Sequence, residues 1–147
     1  MGLNIERFDE DYLYGGGMPD KSFVEKHGIR SILYLVPEYE RGYEKNSGND
    51  AEALGLKYAY LPVDAGKVNP ELAETACTLL GGLPTPCLVV CASGRRAGAL
   101  LSIYDARTHN LTPNEAQEKA RQMGLTFLSS PALLPWAMAA IESTSTK

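Results

Sequence analysis

Histidine is scarce in this sequence: only His27 and His109 are present. Neither lies near a cysteine or a carboxylate pair, and metal sites need clustered ligands. Both read as structural residues at helix C-termini, where a cation suits the helix dipole. Cysteine is nearly as scarce. Cys77, Cys87 and Cys91 show no CxxC spacing, so no zinc framework is implied. An odd, sparse count fits reduced thiols in a cytoplasm or organelle matrix. No apolar run approaches the roughly 18 residues that span a bilayer. The start, MGLNIERFDEDYLY, lacks the basic-then-apolar order of a secretory signal. Its Met-Gly opening has Glu6 where a myristoylation signal carries Ser or Thr. Positive charge is not in excess either. The net charge is −4, with no nucleic-acid footprint, and Arg95-Arg96 stands out against that acidic background.

What is present is an ordinary globular mixture, 44 % hydrophobic and 22 % charged over 147 residues. That length suits one domain, 1–147, with the polar ESTSTK tail (142–147) expected to fray. No repeat or linker divides it. The pattern alternates strand and helix. DYLYGGG is a short strand that breaks at Gly15-Gly16-Gly17. PDKSFVEKHG is a helix with Pro19 in its first turn and Gly28 past its end. Residues 29–36 and 56–63 are apolar strands, with a polar loop and a short helix closed by Gly55 between them. Asn69 caps a helix with Pro70 at its first position. PCLVVC (86–91) is a buried strand, and Ala97, Leu100, Leu101 and Tyr104 recur at helical spacing from about Arg95 to His109. Thr112 and Glu115 form a capping box on a helix stopped by Gly124, and a last helix runs from Pro131 to Ile141. The expected fold is α/β: a three-layer sandwich around a mainly parallel sheet of four to five strands.

Ligands of such sheets sit at the carboxyl ends of the strands, and Cys91 lies at one of them. The stretch Cys91-Ala92-Ser93-Gly94-Arg95-Arg96 joins that strand to a helix. Such a loop turns backbone N–H groups inward and makes an anion nest. The same field, with a guanidinium nearby, favours a thiolate at Cys91 near neutral pH. Gly94 supplies the turn, and an arginine at the loop's end grips two oxygens of an oxyanion. Thiolate plus cradle suits covalent chemistry on phosphate or on a sulfane-sulfur donor. The competing reading is a buried cysteine that ends a core strand.

The stretches YLYGGGMPD, GIRSILYLVPEYE, LGLKYAYLPVDAG and CLVVCASGRRAGALL resemble the cysteine-dependent tyrosine and dual-specificity phosphatase superfamily, from about Tyr12 to Gly124. They are most similar to a bacterial and plastid phosphatase-like family, sometimes fused to metallo-β-lactamase-type hydrolases. Three features depart from typical members. Val90 stands where a histidine precedes the cysteine. Arg96 leaves four residues between Cys and Arg instead of five, as in that phosphatase-like family and in rhodanese loops. Ala97 stands where Ser or Thr follows. The resemblance implies Cys91 as nucleophile and Arg96 as anion clamp, with Ala92, Ser93, Gly94 and Arg95 contributing to the binding loop. Arg95, about 100° round the helix from Arg96, points to solvent or to a second substrate group. Ser93 is either a hydroxyl donor or a turn residue. Asp64 in LPVDAG is the candidate general acid, with a turn aspartate as the alternative. Lys67 reads as a solvated lysine. Glu38 and Glu40 read as exposed loop carboxylates that could also rim the pocket. Cys77 and Cys87 read as packing residues. The expected partner is a small oxyanion or phosphorylated substrate, with no cofactor, no metal, no nucleic acid and no membrane. Three functions stay open: a phosphatase working through phosphocysteine, a rhodanese-type sulfurtransferase carrying a Cys91 persulfide, and a non-catalytic oxyanion- or phosphopeptide-binding module.

Overall fold

The computed structural model describes residues 4–143. The Met-Gly start and the tail from residue 144 lie outside them. Among the described residues five strands form one sheet: β1 (Ile5–Arg7), β2 (Tyr12–Gly15), β3 (Ser31–Tyr34), β4 (Lys57–Tyr60) and β5 (Cys87–Val90). Their order is β1-β2-β5-β3-β4. Only β1 runs antiparallel, against β2; the other pairs are parallel. Six α-helices accompany them among the described residues: α1 (Lys21–His27), α2 (Ser47–Ala53), α3 (Pro70–Gly82), α4 (Arg95–His109), α5 (Pro113–Met123) and α6 (Leu133–Glu142).

Strand alternation sorts the core into two faces. Leu33, Leu35, Cys87 and Val89 pack with Ala76, Leu80, Leu100, Ile103, Phe127 and Trp136 from the α3, α4 and α6 side. Leu13, Ile32, Tyr34, Leu88 and Val90 pack on the opposite face with Val24 of α1 and Ala51 of α2. The result is the expected three-layer α/β sandwich. β5 is central and wholly buried, which is why it reads as an unbroken apolar run.

The caps on α3 and α5 form as the sequence implies. Asn69 accepts from the N–H of Leu72, and Thr112 and Glu115 make the reciprocal capping box. α4 spans the predicted residues 95–109. Several boundaries differ. Asp20 caps α1 by accepting from Phe23, so Pro19 precedes the helix. Leu54 is the C-cap of α2, and Gly55 follows it in the left-handed region. β3 and β4 are each four residues, shorter than the apolar runs containing them. Pro131 sits in a turn before α6, after an unforeseen 3₁₀ segment at Thr126–Ser129. β1 was also unforeseen. It is three residues long, mostly exposed at the sheet edge, and carries no alternating pattern.

The order β2-β5-β3 fixes the site. It sets three loops side by side at the carboxyl ends of these strands: Gly16–Gly17 after β2, the Cys91 loop after β5, and Pro37–Glu40 after β3. The ladder continues into them, since the N–H of Cys91 donates to the Gly15 carbonyl at 2.9 Å and that of Leu35 to Val90 at 2.8 Å.

Candidate active site

Cys91 is the first residue past β5 and is 1 % exposed. Its sulfur accepts from the backbone N–H of Gly94 at 3.1 Å and of Ala97 at 3.4 Å. The loop thus curls so that its own amides face the thiol. Gly94 makes that curl possible, with φ at +87° directly before α4. Ala92, Ser93 and Arg95 are exposed on the rim, and Arg96 is partly covered. The GGG turn beds the loop from the other side. A Cβ on Gly16 would stand 2.3 Å from the Ala92 carbonyl oxygen, so only glycine lets the two backbones approach. A small cavity of about 130 Å³ opens here between Gly16, Gly17, Tyr34, Gly42, Glu44 and Cys91.

Arg96 is fixed from two directions. Its Nη1 donates to Glu40 Oε1 at 2.8 Å and to the Val63 carbonyl at 2.7 Å, and its Nη2 to Glu40 Oε2 at 2.6 Å. Burial works against the charge. The Glu40 carboxylate and the Cys91 sulfur outweigh it, so the guanidinium stays above the ordinary arginine value.

Asp64 follows Val63 and caps a short 3₁₀ turn, Ala65–Lys67. It accepts from the hydroxyl of Tyr39 and from the N–H of Gly66. Those bonds hold its carboxyl below the usual carboxylate range, and the same contact raises the Tyr39 phenol. The Asp64 carboxylate thus accepts two hydrogen bonds, one on each oxygen. Lys67 lies over the Tyr39 ring, 5.7 Å from its centroid. Beyond Asp64 runs a groove of about 330 Å³ lined by Pro37, Tyr39, Pro62, Lys67 and Leu72.

The structure thus gathers Cys91, its loop amides and Arg96 at one point, with Asp64 on the strand-end loop that contacts Arg96. Arg95 is exposed, and the bonds to Glu40 and Val63 are made by Arg96. Sequence reasoning undervalued Glu40 and Tyr39. Both lie in a loop of charged residues that looks solvated. The distinguishing signal is topological: the loop follows the strand beside β5, which places an acid opposite a β5-loop arginine. Cys77 and Cys87 stand apart from the site, and burial raises both thiols, Cys87 to about 11. His109 pairs with Asp105 at 2.9 Å on α4. Among the described residues no cluster of His, Cys, Asp or Glu suits a metal ion, and no helix is long and apolar enough to cross a membrane.

No family model and no curated protein matches the sequence. Solved structures do match in shape. A DUF442 protein of Shewanella putrefaciens CN-32, assigned as a phosphatase, superposes with a TM-score of 0.78 at 19 % identity, over 98 % of this chain and 95 % of its own. PTPMT1, seen in complex with PI(5)P, matches with a TM-score of 0.73 at 20 % identity, over 97 % of each chain. The core catalytic domain of the PP-IP phosphatase SIW14 from S. cerevisiae, in complex with citrate, gives 0.69 at 23 %, over 95 % of this chain and 83 % of that one. The chain has the fold of these phosphatase-like proteins.

Proposed function

We propose that the protein is a cysteine-dependent phosphatase that acts on a phosphate monoester through a phosphocysteine intermediate. The observation that carries this reading is the convergence of two backbone N–H groups on the Cys91 sulfur, with the Arg96 guanidinium held by Glu40 and Val63 at the end of the same loop. In the first step the Cys91 thiolate attacks phosphorus. An S–P bond forms and the P–O bond to the leaving group breaks. The amides of the 92–97 stretch and Arg96 receive the equatorial oxygens, whose charge is spread in the transition state. In the second step water attacks phosphorus, the S–P bond breaks, and the thiolate returns. Asp64 serves here as the base that takes the proton from water. Because Asp64 is held ionised, the leaving oxygen departs best when it needs little protonation, so aryl phosphates are the favoured substrates over alkyl ones. Ala97 offers no hydroxyl to assist turnover.

The ionised Asp64 and the four-residue Cys–Arg spacing favour one other reading, a sulfurtransferase in which Cys91 carries a persulfide and no general acid is needed. The two separate cleanly. Incubation with an aryl phosphate releases inorganic phosphate in the first case. Incubation with thiosulfate adds one sulfur to Cys91 in the second. Oxyanion binding without either turnover would mark a binding module.

A further inference from the structure

The anion-binding character of the Cys91 loop does not extend into the space around it. Two cavities border the loop directly. The first, about 230 Å³, lies against Ser93 and Gly94 and is walled by Glu6 and Tyr14. The second, about 130 Å³, lies against Cys91 and Ala92 and is walled by Tyr34 and Glu44. Tyr14 packs with the core on one face of the sheet and Tyr34 with that on the other, so the cavities flank the loop on two sides. Each has a single charged residue in its wall, and in both it is a carboxylate, Glu6 in the first and Glu44 in the second. The groove beyond Asp64 sets Asp64 and Glu71 against Lys67 alone. Arg95, the exposed guanidinium of the loop, lines none of the three, and Arg96 is committed to Glu40 and Val63.

The backbone puts both carboxylates where they are. Glu6 pairs with Tyr14 across the antiparallel β1–β2 ladder, so the two share a face of the sheet. The Tyr14 ring packs beside Gly94, 3.6 Å from where a Cβ on that glycine would stand. Gly94 is also the residue whose N–H donates to the Cys91 sulfur. Glu44 is tied to the second cavity by its own N–H, which donates to the buried Tyr34 hydroxyl at 2.9 Å. Burial raises the Tyr14 phenol and the Glu6 carboxylate raises it further, so the field of Glu6 reaches the cavity wall. Among the described residues neither Glu6 nor Glu44 has an ion-pair or hydrogen-bond partner for its carboxylate, whereas Glu40 is paired with Arg96 and Asp64 accepts from Tyr39 and Gly66. An uncompensated carboxylate repels a second anion brought beside it and attracts a cation.

We propose that Glu6 and Glu44 are specificity-determining residues: the site takes phosphate monoesters whose leaving group is neutral or cationic and turns away those whose leaving group carries a further anionic group. The proposal rests on the reading of the Cys91 loop as the phosphoryl site and names the substrate class of that site.

The test compares two aryl phosphates with matched leaving phenols and opposite charge, the phosphate esters of tyramine and of 3-(4-hydroxyphenyl)propionate. Both phenols leave alike, so the ratio of their kcat/KM values reports the charge on the side arm. The unaltered protein should favour the ammonium probe about tenfold at low ionic strength, a gap set by two exposed, partly screened charges. In 1 M salt the gap should close, because the Debye length falls to about 3 Å. Glu6→Gln and Glu44→Gln should each reduce the ratio to about threefold, and the double variant should bring it to about one. The ratio is taken within each protein, so a loss of folded fraction cancels. Equal kcat/KM for the two probes in the unaltered protein would overturn the proposal. So would a preference for the carboxylate probe, since Arg95 would then be receiving a second anion, and so would an ammonium preference that survives in the double variant. If the unaltered protein releases no phosphate from either probe, the phosphatase reading falls, and the same ratio, read from binding of the two probes by calorimetry, still decides the role of the carboxylates. No binding of either probe overturns both.

Discussion

Gly16→Ala probes how the Cys91 loop is held. The added Cβ would lie 2.3 Å from the Ala92 carbonyl oxygen and 3.0 Å from its carbon, where real contacts do not fall below 3.0 Å. The obstacle is backbone, so no side-chain rotation relieves it. The two loops must part by at least about 0.7 Å, which stretches the Cys91 N–H bond to Gly15, now 2.9 Å, to about 3.6 Å, past hydrogen-bonding distance. Losing that bond costs about 1 kcal/mol. Overpacking costs a further 1–3 kcal/mol or so. A total near 2–4 kcal/mol lowers Tm by roughly 5–15 °C for a chain of this size. A displacement of that size also misplaces the loop amides, and phosphate release should fall about 10²-fold. Differential scanning calorimetry and an aryl-phosphate assay read the two effects. Gly42→Ala is the control, because its Cβ would meet nothing within 4 Å, and it should leave Tm unchanged. If Gly16→Ala matched the unaltered protein in both assays, the GGG turn would not be the bed of the cysteine loop.

Removing the Tyr39 hydroxyl with Tyr39→Phe should let the Asp64 carboxyl rise toward its ordinary value of 3.8. NMR titration of Asp64 would show the upward shift, and an unmoved titration would mean that Gly66 alone sets it. At high pH the sign runs the other way. The Cys87 thiol is raised by burial from 9.0 to about 11, so between these values the folded state keeps a proton that the unfolded state has lost. Its stabilising contribution is complete below pH 9 and disappears as pH rises through about 11, with the half-buried Tyr60, pushed up to about 12, adding in the same direction. Chemical denaturation at pH 8 and pH 11 should show the loss, and constant stability would contradict it. Trp136→Phe removes a 2.7 Å bond from the indole N–H to the Asn69 carbonyl, which ties α6 to the N-cap of α3. Urea unfolding should report a cost of about 1 kcal/mol.

Helices were the most legible part of the sequence. Asn69-Pro70, Thr112…Glu115 and Gly124 carry their own local hydrogen-bond logic, and the structure uses each as written. The cysteine loop was legible for the same reason, because its strand, glycine and helix start are contiguous. The strand ends were harder. Apolar residues outlast the ladder in 29–36, where Leu35 and Val36 stay buried past the end of β3, and in 56–63, where Val63 is buried past the end of β4. β1 could not be read, because an exposed edge strand of three residues has no face to pattern. Glu40 was undervalued because its meaning depends on strand order. Only when β3 lies beside β5 does a loop carboxylate 56 residues away in sequence become the partner of Arg96.

Phosphate release from an aryl phosphate, measured for the unaltered protein beside Cys91→Ser, tests the central proposal most directly. The account predicts steady release by the first and none by the second, with a phosphoryl group trapped on Cys91 when the reaction is quenched early. Equal release by both proteins, or none from either, would contradict it.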